Sequence, residues 1–274
     1  MASDSRFAVL IDAENVSVKY IKIIFDELSK DGIATYKRIY GDWTNPSLIS
    51  WKSTLLDNSI TPIQQYSYTS GKNSTDSAMI IDAMDILYSG KVEGFCLVSS
   101  DSDFTRLASR LRESGMGVIG MGESKTPNSF IAACNKFKYL DILSAAEEEE
   151  GEESPKAEAA KKTAQPKKAA QRASSKKAKE ESKTEKEPKP ADEPRTSLRT
   201  IRRALRTIVR ENSDEDNWIM VSQVCNLLDK RYPDFDVRNF GFSKLTPFLE
   251  SLDMFEIKDM KKDSSSPQRY VRLK

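Results

Sequence analysis

A stretch without core-forming side chains divides this chain of 274 residues. Residues 144–195 contain no aromatic residue and no Val, Ile, Leu or Met, and consist almost entirely of Ala, Glu, Lys, Ser, Thr, Gln and Pro. Such a segment has nothing to offset the conformational entropy lost on ordering, so we expect it to be disordered or transiently helical. The sequence therefore predicts two folded domains, residues 1–143 and 197–274, with a linker over residues 144–196.

Two roles fit this linker, which carries 13 basic and 13 acidic residues. As a tether, it would keep the ligand of one domain at a high local concentration near the other domain. As an inert spacer, it would only join the two domains covalently. The whole chain has a formal net charge of +1, which excludes a uniformly basic, histone-like protein.

Missing residue types exclude several classes of site. The chain has no histidine, which excludes a histidine base, a His-ligated zinc site and a haem with a histidine ligand. Cys96, Cys134 and Cys225 form no C-x-x-C pair, so we expect neither a disulfide framework nor a zinc ribbon. No apolar run approaches the roughly 20 residues that a membrane span needs. We therefore expect a soluble, cytoplasmic protein with no membrane partner.

Strands and helices alternate in the first domain. Short apolar runs predict strands, and apolar residues at helical spacing between them predict helices. The predicted strands cover residues 7–11, 33–40, 60–66, 95–99 and 118–121, and the predicted helices cover residues 18–28, 46–56, 76–88 and 104–112. This alternation is typical of an α/β fold, a parallel sheet with helices on both faces, whose sites lie beyond the carboxyl ends of the strands.

Acidic residues follow three of these strands. Asp12 comes directly after the first strand, Asp101 and Asp103 follow the fourth, and Asp76 ends the loop after the third. Because these loops meet at one edge of the sheet, we expect the four carboxylates to lie close together. Like charges repel, and a divalent cation between them removes that repulsion. All-oxygen ligands favour Mg²⁺ or Mn²⁺, which suits the attack of water on phosphorus.

Helix capping is the alternative explanation of these acids. Asp is a preferred residue directly before a helix, and Asp76 and Asp103 both stand where a predicted helix begins. Capping explains the four acids together less well, because a D-x-D loop needs only one cap. The glycine-rich motifs of dinucleotide-binding folds and of P-loops are both absent.

Four segments together resemble the NYN domain, a branch of the PIN-like ribonucleases. They are D-A-E-N at Asp12–Asn15, G-K-N-S-T-D ending in Asp76, V-S-S-D-S-D-F at Val98–Phe104 and S-F-I-A-A-C-N-K-F-K-Y-L at Ser129–Leu140. The resemblance implies a parallel-sheet PIN-like domain that hydrolyses single-stranded or structured RNA with Mg²⁺ or Mn²⁺.

The same resemblance implies roles for individual residues. The metal-binding and catalytic residues would be Asp12, Asp76, Asp101 and Asp103. Asn15 would support Asp12 by hydrogen bonding, Ser99 or Ser100 would orient a carboxylate or touch a phosphate, and Lys72 would meet a phosphate. Asp82 matches a position where the family often has an acid, although a solvated helical acid explains it as well.

The second domain begins with a helix whose apolar residues are Leu198, Ile201, Leu205 and Ile208 and whose remaining positions are rich in arginine. A short apolar piece at 218–221, further helices over 222–228 and from about 239, and two strands at 255–257 and 269–273 follow. Helices followed by a terminal hairpin predict a small winged-helix domain.

This domain resembles the OST-HTH domain, also called LOTUS, through W-I-M-V-S-Q-V, Y-P-D-F, F-G-F-S-K-L and Y-V-R-L. The resemblance implies RNA binding or docking to a protein partner. The candidate RNA-binding residues are Arg199, Arg202, Arg203, Arg206 and Lys244, since basic side chains follow a phosphate backbone. The alternative is that the arginine face is only solvated. We expect Trp218 and Phe240 to lie in the core.

Together these patterns predict a metal-dependent ribonuclease with a C-terminal RNA-binding domain. Two alternatives stay open: a catalytically inactive RNA-binding or adaptor protein, and a nuclease that acts on DNA.

Overall fold

The computed structural model describes residues 5–66, 74–152, 196–260 and 268–274. Its first domain contains a six-stranded, fully parallel sheet with the order β3-β2-β1-β4-β5-β6. The strands are β1 (Arg6–Asp12), β2 (Ile33–Gly41), β3 (Thr61–Gln64), β4 (Gly94–Val98), β5 (Gly117–Gly122) and β6 (Lys136–Tyr139). The helices are α1 (Ile21–Ser29), α2 (Trp51–Asp57), α3 (Ser74–Ser89), α4 (Thr105–Glu113), α5 (Asn128–Ala133) and α6 (Leu140–Glu152).

Both faces of this sheet are covered by apolar side chains. Along β1, Val9 and Ile11 pack into one core cluster with α1 and α2, whereas Ala8 and Leu10 pack into a second cluster with α3 and α4. A strand buried on both faces reads as a continuous apolar run, as the sequence of β1 does. The predicted α/β fold with a parallel sheet is confirmed.

The last strand and its flanking helices were not predicted as elements. In β6, Phe137 and Tyr139 are buried, while the intervening Lys138 is neutralised by Asp31 at 2.8 Å. Two of the four residues in β6 are lysines, so the strand contains no apolar run from which it could be predicted. Helix α6 also continues to Glu152, beyond the predicted boundary at residue 143, because Ala and Glu are strong helix formers. Residues 153–195 of the predicted linker lie outside the described residues.

Within residues 196–260 and 268–274, the second domain comprises three α-helices, a 3-10 turn at Val237–Phe240 and a small antiparallel sheet of order β7-β9-β8. Its elements are α7 (Leu198–Asn212), β7 (Ile219–Met220), α8 (Val221–Arg231), α9 (Leu245–Ser251), β8 (Phe255–Met260) and β9 (Gln268–Leu273). Ile201, Leu205 and Ile208 of the predicted apolar stripe are buried, whereas Leu198, the first residue of α7, is 42% exposed. Helices followed by a hairpin agree with the predicted winged-helix arrangement.

Neither domain contributes a bilayer-crossing segment within the described ranges: each of their helices is too short or too polar for that. Cys96, Cys134 and Cys225 are free thiols, as predicted.

Candidate metal centre and basic helix face

Asp12 ends β1, and four hydrogen bonds fix its carboxylate. The backbone N–H groups of Glu14 and Asn15 donate to Oδ1 at 3.1 and 3.3 Å. The side-chain amide of Asn15 and the hydroxyl of Ser99 donate to Oδ2 at 2.7 and 2.8 Å. The residue is 1% exposed. Since a carboxylate accepts about four hydrogen bonds, these donors set the orientation of Asp12.

The loop after β4 carries Asp101 and Asp103 and is tied to Asp12 through Ser99. The buried Ser99 hydroxyl accepts a hydrogen bond from the backbone N–H of Asp101 at 3.1 Å while it donates to Asp12. Asp101 Oδ1 accepts the N–H of Asp103 at 2.9 Å and so caps the short 3-10 turn Ser102–Phe104. Capping therefore uses one oxygen of Asp101 and does not account for the side chain of Asp103.

Asp76 lies inside the first turn of α3, not before it as the capping alternative expected. Its neighbour Thr75 donates a hydroxyl hydrogen bond of 3.3 Å to Glu14, which links the start of α3 to the loop after β1. Asp76 is only 9% exposed, so its charge has little access to water.

Three carboxylates meet at this edge of the sheet. Oxygen atoms of Asp76, Asp101 and Asp103, which we call the acidic triad, all lie within 4.8 Å of one another. Asp12 is not among the three. Burial, together with the charges of Asp12, Asp101, Asp103 and Glu14, raises the pKa of Asp76 to about 6. A shared cation would relieve this repulsion, and a donor set of carboxylate oxygens fits Mg²⁺ or Mn²⁺.

The other predicted supporting residues lie in different places. The Ser100 hydroxyl accepts the N–H of Glu123 at 2.9 Å and thereby positions the end of β5. The loop after β4 lies close to Gly122 at the end of β5. A Cβ atom at this position would lie only 2.7 Å from the Ser99 carbonyl oxygen, so glycine is required there. Lys72 lies outside the described residues.

Asp82 does not join the acidic triad. It forms an ion pair with Arg38 and accepts a hydrogen bond from the Tyr40 hydroxyl. Six residues along α3 from Asp76, it lies about 120° around the helix, which directs it toward β2. The Asp82 carboxylate is thus paired with Arg38 and Tyr40 of β2 and lies apart from the acidic triad.

Sequence reasoning missed Glu14 and Thr75. Glu14 stands two residues after Asp12 in D-A-E-N, and its charge contributes to the raised pKa of Asp76. Its proximity to Asp12 was visible in the sequence, but its contact with α3 depends on how the loop after β1 turns.

The arginines of α7 form one exposed stripe. Because α7 turns by about 100° per residue, these five arginines fall within an arc of about 100° on the helix: Arg199, Arg202, Arg203, Arg206 and Arg210. Arg202 donates to the carbonyl of Leu252 at 3.0 Å. Among the described residues, Arg199, Arg203 and Arg206 form no ion pair, and with Leu198 and Arg202 they line a groove of about 640 Å³.

Three further side chains of this domain were singled out in the sequence. Lys244 is exposed but lies directly before α9, not on the arginine stripe. Phe240 packs against Phe248 with 5.3 Å between the ring centroids, as predicted for a core residue. Trp218 was also expected in the core, but it is half-buried beneath the guanidinium of Arg272, 4.7 Å from its ring centroid.

Two family models match separate parts of the chain. The NYN domain model matches residues 6–141, and the OST-HTH/LOTUS domain model matches residues 196–266. A crystal structure of a protein of unknown function from Vibrio parahaemolyticus is 18% identical, with a TM-score of 0.44, over 52% of this chain and 96% of its own. A solution structure of an uncharacterized protein from Nitrosomonas europaea is 27% identical, with a TM-score of 0.26, over 34% of this chain and 91% of its own.

Among curated proteins, none matches the chain. An NYN domain indicates a nuclease-type hydrolase, and a LOTUS domain indicates RNA binding. The chain thus joins an N-terminal NYN domain to a C-terminal OST-HTH/LOTUS domain.

Proposed function

We propose that this protein is a metal-dependent ribonuclease that hydrolyses phosphodiester bonds in RNA. The acidic triad carries the proposal: three carboxylates from two separate segments of an NYN domain lie within 4.8 Å of one another, and the neighbouring acids raise the pKa of Asp76 to about 6. Three acids used only as helix caps would not need to lie within 4.8 Å of one another.

The residues of the site have different roles in this proposal. Asp76, Asp101 and Asp103 hold Mg²⁺ or Mn²⁺, and the bound ion supplies an activated water and stabilises negative charge on the phosphate. Asp12 adds its negative charge beside the acidic triad. Ser99 and Asn15 keep Asp12 in place, and Ser99 also positions the loop that carries Asp101. Lys72 meets a neighbouring phosphate.

The C-terminal domain binds the RNA. Its arginine stripe presents exposed guanidinium groups in a row, of which those of Arg199, Arg203 and Arg206 form no ion pair within the described part of the chain. Such groups replace the counterions of a phosphate backbone. Lys244 adds a further cation near α9. In the proposed division of the chain, the nuclease domain extends to the end of α6 at Glu152, and the RNA-binding domain begins at Thr196.

The test is the cleavage of end-labelled RNAs and single-stranded DNAs by the full chain in Mn²⁺, in Mg²⁺ and in EDTA. We expect metal-dependent cleavage of RNA that is lost in Asp101→Asn/Asp103→Asn. The matched control is Asp85→Asn, which removes an exposed acid of α3 that is not in the acidic triad.

Two outcomes would contradict the proposal. If folded wild-type protein binds RNA but cuts nothing, the chain is an adaptor whose acids are structural. If it cuts DNA in preference to RNA, the nuclease acts on a different substrate.

A further inference from the structure

The turn that follows α8 belongs to the second domain and contacts the first domain. Residues 233–238, which we call the docking segment, overlap the Y-P-D-F motif, which the proposed chemistry does not use. This segment contacts the nuclease domain at three separate points. Each point involves a different kind of interaction, so they support docking independently.

The first contact covers the edge of the nuclease sheet. Strand β6 is the last strand in the sheet order, and the N–H of Phe137 points away from β5 to donate to the carbonyl of Pro233 at 2.7 Å. Uncovered strand edges present unpaired N–H and C=O groups that attract other chains. Pro233 therefore satisfies a donor that the nuclease domain alone would leave open.

The second contact is a buried hydrogen-bonding node at Asp234. Its carboxylate, in a residue that is 5% exposed, accepts the Tyr139 hydroxyl at 3.2 Å and the Thr196 hydroxyl at 2.6 Å. Tyr139 belongs to β6, and Thr196 precedes α7. The node ties the start of the second domain and its docking segment to the same strand.

The third contact is an ion pair between Arg238 and Glu27 of α1. The guanidinium donates to both carboxylate oxygens at 2.5 and 2.9 Å, and Glu27 is 4% exposed. Burial alone would raise the pKa of Glu27, but hydrogen bonds from Arg238 and Lys30 and the charge of Lys138 hold it well below its usual value. Removing one partner of such a bidentate, buried pair is costly.

We propose that the docking segment holds the two domains as one rigid unit, so that RNA on the arginine stripe reaches the acidic triad at a fixed distance. The second half of this statement rests on the proposed function. Cuts would then fall at a set distance from the RNA element that the C-terminal domain holds. If a tether of 43 residues alone joined the domains, their separation would vary over tens of ångströms and the cuts would spread.

Docking is tested without RNA, on the full chain. NMR-detected hydrogen exchange of the Phe137 amide and small-angle scattering compare wild type with Arg238→Gln and with Arg238→Gln/Asp234→Asn. We expect exchange at Phe137 to accelerate at least tenfold and the radius of gyration to rise in the variants. Protected amides of α7 and β1 report that both domains stay folded.

Arg6→Gln is the control, because Arg6 makes a bidentate but exposed pair with Glu93 inside the nuclease domain. It should leave the Phe137 amide and the scattering unchanged. Unaltered exchange and scattering in the folded double variant would overturn the docking role of the segment.

The fixed distance is tested by mapping cuts on one long RNA. Wild type and a variant with 20 Gly/Ser residues inserted after residue 170 should share the same narrow set of cuts, whereas Arg238→Gln should spread them. The fixed distance would be contradicted if the insertion widened the distribution of cut positions, or if Arg238→Gln left it unchanged. Absence of cutting in wild type would contradict the proposed function and the fixed distance, while the exchange and scattering results would still decide the docking.

Discussion

The acidic end of the nuclease sheet and the basic face of α7 concentrate charge in opposite ways. The acidic triad gathers carboxylates from segments 25 or more residues apart into a small space, where Asp76 is almost fully buried. The arginine stripe spreads like charges along one exposed helix, so water and salt screen their repulsion. A metal ion would relieve the repulsion at the buried Asp76, whereas an exposed row of cations suits a long polyanion of any sequence.

Loss of one member of the acidic triad should have the largest effect. We expect Asp76→Asn to lower the rate of RNA cleavage by about 10³-fold, since metal coordination supplies several kcal/mol of transition-state stabilisation. RNA affinity, measured by fluorescence anisotropy, should change by less than twofold. An equal loss of affinity and rate would mean that the two charged regions are not functionally separate.

The same substitution should stabilise the metal-free protein. The pKa of Asp76 is raised from its ordinary value of 3.8 to about 6, so the folded state binds this proton more tightly than the unfolded state does. The contribution of Asp76 to the free energy of unfolding is therefore greatest below about pH 4 and is lost as the pH rises through 6. At pH 7.5 in EDTA, Asp76→Asn should be more stable by about 2 kcal/mol.

Urea denaturation at pH 7.5 and pH 4.5 checks this sign. The gain in the free energy of unfolding that Asp76→Asn gives over wild type should be much smaller at pH 4.5, where the wild-type Asp76 carboxyl is protonated. A variant that is less stable than wild type at pH 7.5 would show that Asp76 is a structural acid.

Neutralising part of the arginine stripe should have a moderate effect. Arg203→Gln/Arg206→Gln should weaken RNA binding by about tenfold and reduce the slope of log K against log salt by roughly 1.4, since each phosphate contact on a single strand contributes about 0.7. Cleavage at saturating RNA should not change. An unaltered salt slope would show that the stripe is only solvated.

Asp82→Asn should have the smallest effect on activity. Its carboxylate is occupied by Arg38 and Tyr40, so cleavage should stay within twofold of wild type. If Asp82→Asn lowered the rate of cleavage as much as Asp76→Asn, Asp82 would belong to the metal site together with the acidic triad.

The arginine stripe could be predicted from the sequence because all its residues lie on one helix, where spacing alone defines the face. The convergence of Asp76, Asp101 and Asp103 could be predicted only through the rule that parallel strands share one carboxyl edge. Finer details depend on tertiary contacts. The loop after β1 brings Glu14 to α3, Asp82 turns toward β2, and Lys138 is compatible with a strand only because Asp31 and Glu27 lie opposite.

The two domains also differ in how much of their arrangement was predictable. Each domain has its own apolar pattern, which local sequence reveals. Their contact depends on Glu27 and Arg238, which are separated by 211 residues and belong to no shared motif. No spacing rule links such a pair before the fold is known.

Calorimetric titration of Mn²⁺ into the metal-free full chain at pH 7.5 tests the central claim most directly. We predict a saturable site in wild type and in Asp85→Asn, and its loss in Asp101→Asn/Asp103→Asn with both domains still folded. Absence of saturable binding in wild type, or equal binding in the double variant, would contradict the assignment of the acidic triad as a metal centre.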